Sequence, residues 1–310
     1  MNARVGFMFA GQGAQFPGMG SDLPARSKAA AELFDRADAQ LGWSLSELCF
    51  EGAAEALTAS ANCQPAIFTM SLACVAAFRE RTGVSPAVCG GLSLGELSAL
   101  AAAEAYDFES GLALVARRGQ LMDAACAASQ GAMAAVIGGE PAVIEGICRE
   151  VGIDVANYNC PGQIVISGLA EKVDEAVARL ADAGPRTVVR LNVAGAFHSR
   201  LMQPAADAFA PVLADTAIAA PVCPVVQNVV GAVVADPATI RQNLAGQVTG
   251  SVQWEACVRA MLDAGVQALI EFGPGKVLSG FMRRIDRKFP VCNIQGAEDL
   301  DAAESLLQSL

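Results

Sequence analysis

Histidine, tryptophan and tyrosine are nearly missing: 310 residues hold one His, two Trp and two Tyr. With one imidazole, and ten cysteines that form no C-x-x-C pair, a zinc site would need scattered carboxylates, so no metal is expected. The cysteines fall at 49, 63, 74, 89, 126, 148, 160, 223, 257 and 292, mostly among apolar neighbours, and read as reduced core residues of a cytoplasmic protein. Long apolar runs are lacking too. The longest, Ala66–Phe78, is broken by Thr69 and Ser71 and falls short of the roughly 20 residues that span a bilayer, so no membrane span is expected. The opening MNARVGFMFAGQG has no long apolar region ending in a small-residue cleavage site, which argues against secretion. Positive charge is scarce: 21 Lys and Arg face 32 Asp and Glu, and the net charge of -11 excludes a broad nucleic-acid-binding face.

Nucleotide loops are missing as well. Gly11-Gln12-Gly13 is followed by Phe16 where a dinucleotide fingerprint needs glycine. FGPGKV lacks both the earlier glycine and the following Ser or Thr of a phosphate-binding loop.

What is present is a chain with 53% hydrophobic residues, long enough for one large core with a smaller unit inserted or appended. RVGFMF reads as a buried strand stopped by the glycine turn at 11–13. Helical patterns follow around Ala29–Leu41 and Gln64–Arg81, then a short strand, Ala87–Gly91, and a run of helix formers, Leu94–Ala103. From about Cys126 the rhythm changes to strand, helix, two strands around a Cys-Pro-Gly turn, helix, strand. That order is ferredoxin-like, and 126–196 is expected to be a small inserted subdomain between the two parts, 1–125 and 197–310, of a large α/β domain. After Ala196 come a helix from Ser199, the strand CPVVQNV, helices near Thr239–Leu244 and Val252–Ala264, the strand Val266–Phe272 and a basic helix opened by Gly273-Pro274-Gly275. Alternating strands and helices predict a mostly parallel sheet covered on both faces.

Gly91-Leu92-Ser93-Leu94-Gly95 fits G-x-S-x-G at a predicted strand-to-helix junction. Flanking glycines permit a sharp turn with the serine at its apex, and the following helix aims N–H groups at it. The competing reading is a small residue in a glycine-rich bend. A serine hydroxyl needs a base to become a nucleophile, and His198 is the sole candidate. It lies in GAFHSR, where the inserted unit rejoins the large domain; a structural histidine is the alternative.

These residues resemble those of the malonyl-CoA:acyl carrier protein transacylases of fatty acid synthesis and the related acyltransferases of polyketide synthases. GQGAQ, QPAIF, GLSLGELSAL, RRGQLM, NYNCPGQIVISG, GAFHSRLMQPA, QVTGSVQW and EFGPGKVLSGFMRRI occur in that family's order along nearly the whole chain. The resemblance implies a hydrolase-like α/β fold with an inserted ferredoxin-like subdomain. It implies that Ser93 is acylated, that His198 is its base, and that the backbone N–H groups of Gln12 and Leu94 form the oxyanion hole. By the same resemblance Arg118 would pair with the malonyl carboxylate, the Gln247 carbonyl would orient the histidine, and Asn159 would lie near the site. Phe197, in the tripeptide AFH, would narrow the pocket against an α-methyl branch. Two positions depart from the family: Leu92 stands where most members have histidine, and Ala10 where proline is usual.

The implied activity is malonyl transfer from malonyl-CoA to an acyl carrier protein, with no permanently bound cofactor, by a cytoplasmic monomer. Rival readings are a polyketide-synthase acyltransferase acting in trans, an acyl hydrolase on the same fold and a non-catalytic carrier-binding protein. Lys276, Arg283, Arg284, Arg287 and Lys288 gather in KVLSGFMRRIDRK against Asp286 alone, and form either a solvated helix face or a docking patch for the acidic carrier.

Overall fold

The computed structural model describes residues 3–310. The apolar run after Arg4 forms β1 (Val5–Phe9), with every side chain buried. Helices α1 (Lys28–Leu41), α2 (Leu45–Glu51) and α3 (Ser60–Thr82) precede β2 (Val88–Gly91), α4 (Leu94–Ala102) and α5 (Phe108–Ala127). Next come β3 (Gly131–Ile137), α6 (Pro141–Val151), β4 (Asp154–Cys160), β5 (Gln163–Leu169), α7 (Ala170–Ala181) and β6 (Thr187–Arg190). A 3-10 turn, Arg200–Met202, leads to α8 (Gln203–Asp215), β7 (Val225–Gln227), β8 (Ala232–Val234), α9 (Pro237–Gln247) and α10 (Trp254–Asp263). The chain closes with β9 (Ala268–Phe272), α11 (Val277–Ile285), β10 (Val291–Ile294) and α12 (Asp299–Gln308).

The larger sheet runs β10-β9-β1-β2-β7-β8, parallel except for the β7–β8 pair. Parallel strands leave apolar side chains on both faces, and both must be covered. Phe7 and Phe9 of β1 pack on one face with Phe78 and the rest of α3, while Met8 packs on the other with Trp254, Met261 and Met282. Helix α3 is long and apolar enough to cross a bilayer, but its side chains are buried in this core, from Cys63 to Phe78 almost without a break. Close approach of α3 and α5 depends on glycine. A Cβ at Gly111 would lie 2.5 Å from the Phe68 ring, and one at Gly119 would lie 2.3 Å from the Ser60 carbonyl oxygen.

The smaller sheet, β4-β5-β3-β6, is antiparallel, and with α6 and α7 it has the expected ferredoxin-like order. Strand alternation divides its side chains. Ala132, Ala134 and Val136 join the cluster under α6 and α7, whereas Met133 and Ala135 join the main core. The α/β class, the mostly parallel sheet and the ferredoxin-like unit are therefore present as expected.

Candidate active site

Adjacent parallel strands end side by side, with Phe9 of β1 opposite Gly91 of β2. The loops that leave them begin with Ala10 and Leu92, which brings Gln12 and Ser93 together. Ligands in open α/β sheets bind outside such carboxyl ends. The turn into α4 is tight: a Cβ at Gly91 would lie 2.0 Å from Gly95 backbone atoms, and one at Gly95 would lie 2.1 Å from the Phe9 carbonyl oxygen. Ser93 between them takes φ 54 and ψ -107, outside the conformations ordinary for a side-chain-bearing residue. Asn228, just past β7, holds this turn from below. Its Oδ1 accepts from Ser93 N at 2.6 Å, and its Nδ2 donates to the Gly91 carbonyl at 2.8 Å.

The only non-glycine residues with positive φ among those described are Ser93, Glu104 and His198. Two of the three face each other: Ser93 Oγ lies 2.7 Å from His198 Nε2. His198 Nδ1 lies 2.8 Å from the Gln247 carbonyl oxygen and 3.1 Å from that of Gly250. Carbonyl oxygens only accept, so Nδ1 carries the proton and Nε2 is left to accept from Ser93 Oγ–H. The imidazole is 4 % exposed, and burial, assisted by the Arg118 guanidinium, lowers its pKa to about 4. It is therefore a neutral acceptor at neutral pH. The loop is fastened on both sides: Ser199 Oγ donates to the Ala196 carbonyl, and the Arg200 side chain binds Asp154 of β4.

Arg118 comes from α5 and is 1 % exposed, which sets it apart from its exposed neighbour Arg117. Its Nη1 donates to Gln64 Oε1 at 2.8 Å, and its Nη2 to Gln247 Oε1 at 2.9 Å and Ser93 Oγ at 3.2 Å. Asp123, one turn along α5, accepts from Ser60 N and Ala61 N at the start of α3 and so fixes the helix that presents Gln64. Burial lowers the guanidinium pKa to about 10, opposed by Glu96, so Arg118 stays charged at neutral pH. Its Nε is buried with no partner among the described residues.

A cavity of about 230 Å³ opens at Ser93 and His198, lined also by Gln12, Leu92, Met122, Met133, Asn159 and Phe197. Asn159 Oδ1, on β4, is buried without a partner among the described residues. The backbone N–H groups of Gln12 and Leu94 likewise have no acceptor among them. A larger groove of about 810 Å³, bounded by Arg79, Tyr106 and Arg241, shares no residue with this cavity. Val277 and Phe281 of α11 also line the cavity, though none of the basic residues at 276–288 does. Lys276, Arg283, Arg287 and Lys288 are exposed; Arg284 is exposed too, but its Nη2 reaches the Pro161 carbonyl at 3.1 Å. Glu271 of β9 holds α11 in place by accepting from Leu278 N and Ser279 N.

Sequence reasoning missed Gln64, Glu96, Asn228 and the Gly250 carbonyl. Gln64 and Glu96 stand inside the quoted stretches QPAIF and GLSLGELSAL, but nothing in the spacing marks them as polar partners rather than surface residues. Glu96 is fully buried and accepts from Gln227 Nε2, Asn228 N and Gln247 Nε2. Burial raises its pKa to about 7, opposed by those hydrogen bonds and by Arg118.

Comparison with known proteins follows the same lines. The acyl transferase domain family matches residues 6–300. A malonyl CoA-acyl carrier protein transacylase of Bacillus subtilis is 39% identical over 99% of this chain and 98% of its own length. The solved structure of the malonyl CoA-acyl carrier protein transacylase from Coxiella burnetii superposes with a TM-score of 0.95 at 34% identity, covering 99% of this chain and 98% of its own. A malonyl-transacylase solved in complex with its type II PKS acyl-carrier protein gives a TM-score of 0.94 at 34% identity, covering 99% and 100%.

Proposed function

Because the chain belongs to the acyl transferase domain family, we propose that it moves a malonyl group from malonyl-CoA to the phosphopantetheine thiol of an acyl carrier protein through an ester on Ser93. The observation that carries this reading is the 2.7 Å contact between Ser93 Oγ and His198 Nε2, with the imidazole's other nitrogen held by two carbonyls. This is a dyad in which main-chain oxygens replace the acid of a triad.

In the first half, Ser93 Oγ attacks the thioester carbonyl and its proton passes to His198 Nε2. The oxyanion is received by the backbone N–H groups of Gln12 and Leu94. When the carbon–sulfur bond breaks, the imidazolium returns the proton to the CoA sulfur, leaving a malonyl ester. In the second half the carrier thiol gives its proton to Nε2 and attacks the ester; the carbon–oxygen bond breaks and the proton returns to Ser93 Oγ. CoA enters as part of the substrate and leaves as product, so the reaction needs no permanently bound cofactor and no metal.

Arg118 binds the malonyl carboxylate. Its charge and the 3.2 Å contact of its Nη2 with Ser93 Oγ support that role, and an acetyl group would leave the guanidinium without a carboxylate partner. Phe197, at the cavity wall, limits the room for an α-methyl branch. Asn159 offers its free acceptor to the bound acyl chain. The small lobe, 126–196, closes one side of this site, and the acidic carrier docks on Lys276, Arg283, Arg284, Arg287 and Lys288. We take the protein to act as a cytoplasmic monomer in fatty acid synthesis. A carrier of the type II PKS kind is the second reading, favoured by the neighbour solved with such a partner.

Incubation with malonyl-CoA in the presence and absence of acyl carrier protein tests the proposal. Malonyl carrier is expected when the carrier is present, with little free malonate when it is not. Rapid malonate release without carrier would instead identify a hydrolase.

A further inference from the structure

Glu96 has no part in the reaction just written, yet its partners Gln247 and Asn228 touch Ser93, and Gln247 also touches Arg118 and His198. It is on the first turn of α4, three residues after the nucleophile, and is fully buried. A carboxylate only accepts, so each amide that meets it must present N–H. For Gln247 this decides which end of the side-chain amide points where. Nε2 faces Glu96 Oε2 and the Ser93 carbonyl, both at 3.0 Å, which turns Oε1 toward Arg118 Nη2 at 2.9 Å. Reversed, the amide would set oxygen against carboxylate and N–H against guanidinium. A second connection runs through Asn228. Its backbone N donates to Glu96 Oε2 at 2.7 Å, and its side chain binds both Ser93 N and the Gly91 carbonyl.

We propose that Glu96 is a positioning residue whose buried carboxylate orients Gln247 and Asn228, and through them the Arg118 guanidinium and the Ser93 turn. The inference rests on the roles assigned to Ser93 and Arg118 above. Protonation would put a donor where these amides now point one, and would release part of the network. The charged and titratable groups facing Glu96 are Arg118 from α5, the Tyr106 hydroxyl and the Cys257 thiol of α10. Burial pushes the thiol far above its ordinary range and raises the phenol, so Arg118 is the charge that matters near neutrality. Glu96 itself, raised to about 7 by burial, changes state there, whereas His198 does not.

The test measures acylation of Ser93 by malonyl-CoA, and its modification by an uncharged fluorophosphonate, across neutral pH. Both reactions use Ser93 and His198, so their ratio isolates the path through Gln247 to Arg118. In the wild-type protein the malonyl-to-fluorophosphonate ratio is expected to fall about tenfold as pH drops through about 7, a scale set by small misplacements of a binding group. In Glu96→Gln it is expected to be low and independent of pH, with a melting temperature reported alongside. A Glu96 that only supports the fold would move the melting temperature and leave the ratio alone. A wild-type ratio that does not change with pH, or a folded Glu96→Gln with the wild-type ratio, overturns the proposal. If Glu96→Gln does not fold, the wild-type profile decides alone. A wild-type protein that takes up no malonyl at any pH would remove the reading of the site as well, which separates the two failures.

Discussion

The two sheets contribute to the cavity in different ways. Connections at the carboxyl ends of the parallel strands supply Ser93 after β2 and Gln12 after β1, and Asn228 follows β7. There the reactive atoms sit in a continuous net of hydrogen bonds between 2.6 and 3.2 Å, and strained backbone is held by glycine-permitted contacts. The antiparallel sheet supplies wall: Met133, Asn157, Asn159 and Val165 line the cavity without joining that net. Its β4 edge carries two irregularities in register with β5, between Val155 and Asn157 and between Tyr158 and Cys160. The difference implies that damage on the parallel side should abolish chemistry, whereas changes at the walls should alter which acyl group is accepted.

The largest effects should therefore come from the dyad. Ser93→Ala or His198→Ala is expected to lower acylation by about 10⁴-fold or more with the fold retained, as followed by single-turnover kinetics and circular dichroism. Arg118→Ala should cost about 10²–10³-fold in kcat/KM for malonyl-CoA, the scale for removing one partner of a buried charge pair. Acetyl-CoA should be affected far less, and an equal loss for both would remove Arg118 from recognition.

The parallel side also has a stability signature. Burial and Arg118 lower the His198 pKa from 6.5 to about 4, so folding excludes a proton that the unfolded chain binds. Its stabilising contribution is complete above the ordinary value of 6.5 and is lost as pH falls through about 4. At 1.36 kcal/mol per pH unit this is on the order of 3 kcal/mol. Glu96, raised to about 7, has the opposite sign: its contribution is present below its ordinary 4.5 and is lost as pH rises through about 7. Urea titrations of the wild type and His198→Ala should show the variant losing less stability on acidification; parallel curves would contradict this.

At the wall, Phe197→Ala should narrow the preference for malonyl over methylmalonyl by about 1–3 kcal/mol while leaving fluorophosphonate labelling of Ser93 nearly unchanged. The smallest effect belongs to α11. The KM for the carrier, at saturating malonyl-CoA, should rise severalfold with ionic strength if the basic residues form the docking face. A flat response would count against it.

The difference between the two sides also governs what the sequence could disclose. Ser93 was readable because a sharp turn needs glycine at fixed offsets, and the clashes that a Cβ would meet at Gly91 and Gly95 are the physical content of that pattern. His198 was readable through scarcity. The ferredoxin-like unit was readable because β3 and β5 are short apolar runs, buried at five successive positions each, and α7 buries one face at helical spacing, Val173, Ala176 and Leu180. Helix α5 gave no clear periodic signal even though it carries Arg118. Its buried face is interrupted by Gly111, Arg118 and Gly119, each needed for contact with α3 rather than for hydrophobicity. Short or late elements such as α2, β8 and β10 were likewise not evident. Glu96, Asn228 and Gln247 meet across 132 to 151 residues of chain, and no local period encodes a hydrogen bond at that separation. The family resemblance indicated the Gln247 carbonyl but not the side-chain amide, which holds Ser93 and Arg118 together.

The central claim is that one hydroxyl is acylated with one imidazole as its base. Intact-mass spectrometry after brief mixing with malonyl-CoA tests it most directly. A single malonyl adduct is predicted on the wild-type chain, none on Ser93→Ala, and a greatly slowed appearance on His198→Ala. An adduct that persists in Ser93→Ala, or a wild-type chain that never gains one, would contradict the account.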